Sequence, residues 1–222
     1  MALETLQHET GAHPGASIIV LHGLGADGND FVPFVEEVDL SALGPVRWIF
    51  PHATTMPVTI NGGYVMRAWY DILGGDLARR EDETGLRRSM AEVRALVERE
   101  RERGIAARRI VLAGFSQGCA MTLLTGLRHP ERLGGLAGLS GYLPLAATLE
   151  NERSAANADV PVFLGHGRSD PVVPYAAGVA TRDALRASGY PVEWHEYPMP
   201  HSVCMEEIQD LQRWMVRVLG ER

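Results

Sequence analysis

Cysteine is scarce in this 222-residue sequence, which has only Cys119 and Cys204. Two are too few for the disulfide framework of a small secreted protein, and both are expected to be reduced, half-buried thiols in helices. Long apolar runs are missing too: none exceeds the length of 18–21, far short of the ~20 residues that span a bilayer. Residues 1–14 lack a basic segment followed by an apolar one, so no secretory leader and a cytoplasmic location are expected. Positive charge is outnumbered, with 21 Lys and Arg against 28 Asp and Glu and a net charge of −7. The basic residues are scattered, so nucleic acid and anionic lipid are not expected as partners, nor is stable membrane insertion. No spacing of His, Asp or Glu resembles a ligand set, so no metal is expected. With no repeat, low-complexity tract or linker, one domain is expected over 1–222, its residues 1–15 forming a peripheral segment.

What is present is 45% hydrophobic and 22% charged residues, a balance that buries one substantial core. Short β-rich runs at 17–21, 46–50, 109–113, 136–139, 160–165 and 192–197 alternate with helical stretches at 29–38, 83–103, 117–127, 175–188 and 205–219. In 83–103 the stripe is Leu86, Met90, Val93 and Val97; in 205–219 it is Ile208, Leu211, Met215 and Val218. Such alternation implies an α/β fold, a mostly parallel sheet with helices on both faces. The stretch 51–75 contains Pro51, Pro57, Gly62 and Gly63 and is expected to be an irregular loop, of a length that is often functional.

Residues Gly114-Phe-Ser-Gln-Gly118 spell Gly-x-Ser-x-Gly. Alone the pattern is weak, but it follows a β-rich run and opens a helix, the strand, turn and helix order of a nucleophile elbow. There a serine hydroxyl stands exposed on a strained turn, and the glycines let helix and strand approach. A serine attacks only if a base takes its proton and a carboxylate fixes the base's tautomer. In the α/β-hydrolase chain order these follow the serine as Asp and then His. Asp170 and His201 lie just after the strands at 160–165 and 192–197, so their loops open at the same sheet end as Ser116.

Other residues fit less well. His8 and His13 fall in a mobile start, His129 ends a helix and His195 lies within a strand. His52 precedes Ser116 and His166 precedes Asp170, which breaks the order; Asp159 and Asp183 remain as weaker carboxylates. His22-Gly-Leu-Gly25 follows the first strand and matches an oxyanion loop, with His22 a structural residue. The expected oxyanion donors are the backbone N–H groups of Leu24 and Gln117.

With His22-Gly-Leu-Gly25, Phe50-Pro-His-Ala53, Pro57-Val-Thr-Ile-Asn61, Trp69-Tyr-Asp71, the elbow from Arg109 to Gly118, and Asp170-Pro-Val-Val-Pro174, the sequence resembles the phospholipase/carboxylesterase family from about residue 17 onward. The resemblance implies a small, lidless α/β-hydrolase of the carboxylesterase or acyl-protein thioesterase type. It also implies an ester or thioester substrate, no cofactor, a cytoplasmic location and often a homodimer. Cys119 departs from it, standing where a third elbow glycine is usual. The expected reaction is hydrolysis of short to medium carboxylic esters through a Ser116 acyl-enzyme, with protein deacylation or lysophospholipid hydrolysis as alternatives and a non-catalytic interaction protein of this fold as a remote one. Apolar residues in 56–69, Met66 and Trp69 among them, have two readings, core cover or an acyl-binding wall or dimer surface. Tyr142 is likewise either a site lining or a packing residue.

Overall fold

Strands that are apolar on both faces must be covered on both, and this sets the layers of the molecule. The computed structural model describes residues 3–74 and 80–220. Its strands are β1 (Thr5–Glu9), β2 (Ala16–Leu21), β3 (Val46–Pro51), β4 (Thr55–Val58), β5 (Tyr64–Arg67), β6 (Ile110–Phe115), β7 (Gly135–Leu139), β8 (Val162–Gly167) and β9 (Val192–Tyr197). The helices are α1 (Phe34–Glu37), α2 (Glu83–Glu102), α3 (Gln117–Leu127), α4 (Leu149–Glu152), α5 (Tyr175–Ala187) and α6 (Met205–Gly220). Seven strands form one sheet in the order β1-β3-β2-β6-β7-β8-β9, parallel except for β1, which runs antiparallel to β3. This is the expected α/β architecture.

Side-chain alternation divides the core. Ile19, Leu21, Ile49, Ile110, Leu112 and Leu136 pack with α2 and α3. Their neighbours Ile18, Val20, Trp48, Val111 and Phe163 pack with Phe34 of α1 and with α6. Every loop after β2, β6, β8 and β9 therefore opens at one end of the sheet, where parallel strands finish.

Four expectations need correction. His8, read as part of a mobile start, lies in the edge strand β1, which is registered from Thr5 opposite Pro51 to Glu9 opposite Arg47. The stretch 51–75 is not irregular throughout: β4 and β5 make an antiparallel hairpin, turned by Gly62 and Gly63 at φ 66° and 80°. Gly75, its last residue, lies outside the described residues. The helix expected at 29–38 is broken at Pro33 into a 3-10 turn, Gly28–Phe31, and the short α1, because proline has no N–H to continue the ladder. Cys204 lies in the loop before α6 rather than in a helix.

On α6, Glu207 shares the buried face with Leu211 and Trp214, the i+4 and i+7 positions. Among the described residues no partner reaches either of its oxygens. Burial, with the nearby Asp210 charge, pushes its carboxyl up to about 8. The folded protein thus keeps a proton that the unfolded chain loses near the ordinary 4.5, so folding is favoured less as pH rises from there through 8. Glu207→Gln should change the melting temperature little near pH 5 and raise it by several degrees at pH 8 to 9. A gap between variant and wild type that does not widen with pH, followed by calorimetry, contradicts the buried neutral carboxyl.

Candidate active site

The site begins where β6 hands over to α3. Ser116 stands at that junction with φ 57° and ψ −117°, a backbone state that a side chain adopts only under strain. The flanking glycines are steric necessities: a Cβ at Gly114 would lie 2.2 Å from the Gly118 carbonyl oxygen, and one at Gly118 would lie 2.0 Å from that of Leu21. The Ser116 N–H is anchored on the Leu139 carbonyl at 2.9 Å.

The three residues selected from sequence meet here. His201 Nε2 lies 3.0 Å from Ser116 Oγ, and His201 Nδ1 lies 2.7 Å from Asp170 Oδ2. The other carboxylate oxygen accepts the N–H groups of Val172 and Val173 at 2.8 and 2.9 Å, so Asp170 cannot swing away without losing both. With Nδ1–H given to the carboxylate, Nε2 is left to accept the serine proton. Phe115 supports the imidazole, its ring centroid 4.7 Å away.

Four of the other histidines are engaged elsewhere. His22 is buried, donating from Nδ1 to the Gly23 carbonyl at 2.7 Å and accepting the Ala53 N–H at Nε2 at 3.0 Å. Burial lowers its pKa, as it does for His166, whose Nε2 donates to the Val173 carbonyl at 2.9 Å and so backs the loop that carries Asp170. His52 accepts the Gly28 N–H, and His195 lies between Glu193 and Asp210. Asp159 and Asp183 pair with Arg132 and Arg182 at the surface.

Two backbone N–H groups of the adjoining segments, those of Leu24 and Gln117, have no acceptor among the described residues. The N–H groups of Gly25 and Ala26 go to the carbonyls of Arg67 and Gly23, whereas among the described residues no acceptor takes that of Leu24. Gln117 opens α3, where the first N–H groups have no partner within the helix. Gly23 brings the loop close, since a Cβ there would lie 3.3 Å from Ser116 Cβ.

The residues expected to line the site fare differently. Trp69 is fully buried, and its indole N–H donates to the His22 carbonyl at 2.8 Å, so it braces the 22–25 loop. Tyr142 is a packing residue: its hydroxyl bonds to that of Tyr70 at 2.8 Å, and burial pushes its pKa up to about 12. Met66 alone stays near, half-buried on β5 with its sulfur 3.5 Å from where a Gly25 Cβ would stand. Sequence reasoning missed the Gln117 side chain, which accepts the Trp69 N–H at 3.1 Å and donates to the Tyr70 carbonyl at 2.9 Å. It also missed Phe31 and Phe34, which with Val172, Val203, Phe115, Leu24, Ser116 and His201 line a cavity of about 470 Å³. Their burial on one side of 28–37, at i and i+3, was the available signal. Cys119 fits beside the elbow because Gly141 faces it, where a Cβ would lie 2.4 Å from that of Cys119; burial pushes its thiol up to about 12. Among the described residues no group of His, Cys, Asp or Glu could hold a metal ion, and no helix is long and apolar enough to cross a membrane.

Comparison with known proteins matches residues 7–219 to the phospholipase/carboxylesterase family. The sequence is 38% identical over 211 residues to acyl-protein thioesterase 1 of Yarrowia lipolytica, covering 93% of each chain. It is 40% identical over 213 residues to acyl-protein thioesterase 1 of Neurospora crassa, covering 92% of this chain and 87% of that one. The crystal structure of Zea mays acyl-protein thioesterase 2 superposes with a TM-score of 0.83 at 32% identity, covering 97% of this chain and 99% of that one.

Because a Gly118 Cβ has nowhere to go but into the Leu21 carbonyl, Gly118→Ala should lower stability by at least about 1–3 kcal/mol and displace Ser116. Urea unfolding together with fluorophosphonate labelling checks both effects. A variant with wild-type stability and labelling rate would show that the elbow tolerates the extra carbon.

Proposed function

The chain belongs to the phospholipase/carboxylesterase family of hydrolases, and on that premise we propose that it cleaves carboxylic esters and thioesters through an acyl-enzyme on Ser116. The observation that carries this reading is the continuous hydrogen-bond chain from Ser116 through His201 to Asp170. His201 takes the hydroxyl proton as Ser116 Oγ attacks the acyl carbonyl, and Asp170 offsets the imidazolium charge. The N–H groups of Leu24 and Gln117 receive the oxyanion. His201 then returns the proton to the departing alkoxide or thiolate. A water molecule, deprotonated by the same imidazole, attacks the acyl carbonyl and frees the acid and Ser116. No step calls on a metal or cofactor.

Short to medium acyl chains are the proposed substrates. Each further CH₂ stabilises the complex by about 0.8 kcal/mol only while there is wall to cover it, and the described residues include no helical insertion over Ser116. A second reading, deacylation of proteins, shares every catalytic residue. It is favoured by the relatives named acyl-protein thioesterase 1, at 38% and 40% identity.

Ser116→Ala and His201→Ala should each fold and lose esterase activity by about three orders of magnitude or more, because nucleophile and base act as a unit. His52→Ala should keep fluorophosphonate labelling. Either of the first two retaining a tenth of the wild-type rate contradicts the assignment. EDTA should leave the rate unchanged, and loss restored by zinc would mean another mechanism. Across p-nitrophenyl esters, kcat/KM should rise over the first carbons and then level; a steady climb to palmitate, with faster turnover of an S-acylated peptide, would favour protein deacylation.

A further inference from the structure

The chemistry of the second proton transfer fixes where the leaving group stands. The alkoxide or thiolate receives its proton from His201 Nε2, so it departs on the His201 side of Ser116, while the acyl group lies on the other. The cavity of about 470 Å³ reaches that side: its walls run from Leu24 of the loop after β2, past Ser116, to His201 and Val203 from the loop after β9 and Val172 from the loop after β8. Its volume lies within the range of small-molecule sites, roughly 300–1,000 Å³.

The opposite wall is aromatic. Phe31 and Phe34 pack at 5.2 Å between ring centroids, and Phe31 reaches Phe115 at 6.2 Å, giving a continuous apolar surface from α1 to the elbow. Apart from His201, the ionisable side chain on these walls is Asp30, whose Oδ2 is held by the Asp27 N–H at 2.7 Å. Arg67 lines an adjoining depression with Asp27 and Asp30 rather than the cavity. A neutral ring or branched alkyl group gains cover here, whereas an anion would lose water beside a carboxylate and meet no arginine or lysine on these walls.

We propose that this cavity is the leaving-group site and selects uncharged aryl or branched-alkyl alcohols and thiols against anionic ones. The assignment rests on the Ser116 acyl-enzyme reading and adds a substrate class to it. Asp30 sets the charge preference; Phe31, Phe34 and Val172 set the preference for apolar bulk.

The test keeps the acyl group constant and varies what leaves. Acetates of ethanol, 3-methylbutanol, 2-phenylethanol and 2-(4-carboxyphenyl)ethanol have alcohols of similar acidity, so differences in kcat/KM report binding rather than leaving ability. Ser116 is labelled in parallel with a fluorophosphonate. For 2-phenylethyl acetate kcat/KM should exceed that for ethyl acetate by about tenfold or more, with 3-methylbutyl acetate between. The carboxylate-bearing ester should fall about tenfold below its neutral parent. Asp30→Asn, which keeps an oxygen for the Asp27 N–H, should narrow that gap severalfold. Val172→Asp, at a position 61% exposed and therefore tolerant of charge, should lower the 2-phenylethyl rate severalfold more than the ethyl rate. A flat series from a protein whose Ser116 labels and which hydrolyses ethyl acetate overturns the leaving-group site and leaves the acyl-enzyme standing. Equal rates for the neutral and carboxylate esters overturn the charge selection. Neither labelling nor hydrolysis of any ester overturns both readings.

Discussion

The first turn of α3 rests on the end of β2 so closely that a Cβ at Gly118 would lie 2.0 Å from the Leu21 carbonyl oxygen. The rest of the site hangs on that contact. β2 and β6 are neighbours, with Leu21 opposite Gly114, so the helix must leave the end of β6 at a sharp angle to clear β2. Ser116 takes up the turn at φ 57°, a strain of order 1–3 kcal/mol that its hydrogen bond to Leu139 helps to hold. A serine so placed projects into the space above the sheet, where the loops after β2, β8 and β9 also end.

Around that fixed point, one residue type serves two ends. His22 and His166 are buried, their pKa values lowered, and each ring is spent on backbone groups: one shapes the 22–25 loop, the other backs Asp170. His201 differs in its neighbours rather than its chemistry, lying between a carboxylate and a hydroxyl. Trp69 and the Gln117 side chain complete the support, tying the segment after β5 to the loop after β2 and to the start of α3. A loop whose carbonyls are held at Gly23 and His22 can keep a free N–H aimed in one direction, as an oxyanion donor requires.

Much of this was legible in the sequence because its signals are local. The elbow needs glycines at two positions and a strand before them, and the parallel strands announce themselves as apolar runs. Ser116, Asp170 and His201 could be chosen because strand ends and chain order restrict where such residues fall. β1 was illegible because a rim strand with only Leu6 apolar has no alternation to read. The β4–β5 hairpin was hidden by Pro57, which a two-stranded ribbon tolerates but a central strand would not. Trp69 was left with two readings, core cover or acyl wall, because an aromatic in a connecting segment gives no sign of which way it points; here it points inward. Glu207 was passed over because a charge at a helix start reads as a cap, although its spacing from Leu211 places it on the buried face.

A sheet bounded by β1 and β9 presents two rows of backbone groups to solvent, and an open row invites a strand from another molecule. β9 carries Glu193 and Glu196, each already engaged with an arginine, Arg217 and Arg168. A second copy added antiparallel along β9 with Glu193 opposite Glu196 would set carboxylates against each other at cross-strand spacings where like charges repel. β1 offers Thr5, Gln7, His8 and Glu9 with a single leucine between them, too little apolar surface to fasten a neighbour. The sheet that serves as a rigid floor within one molecule thus carries charge and little apolar surface at both rims, which disfavours its extension into a ribbon of many.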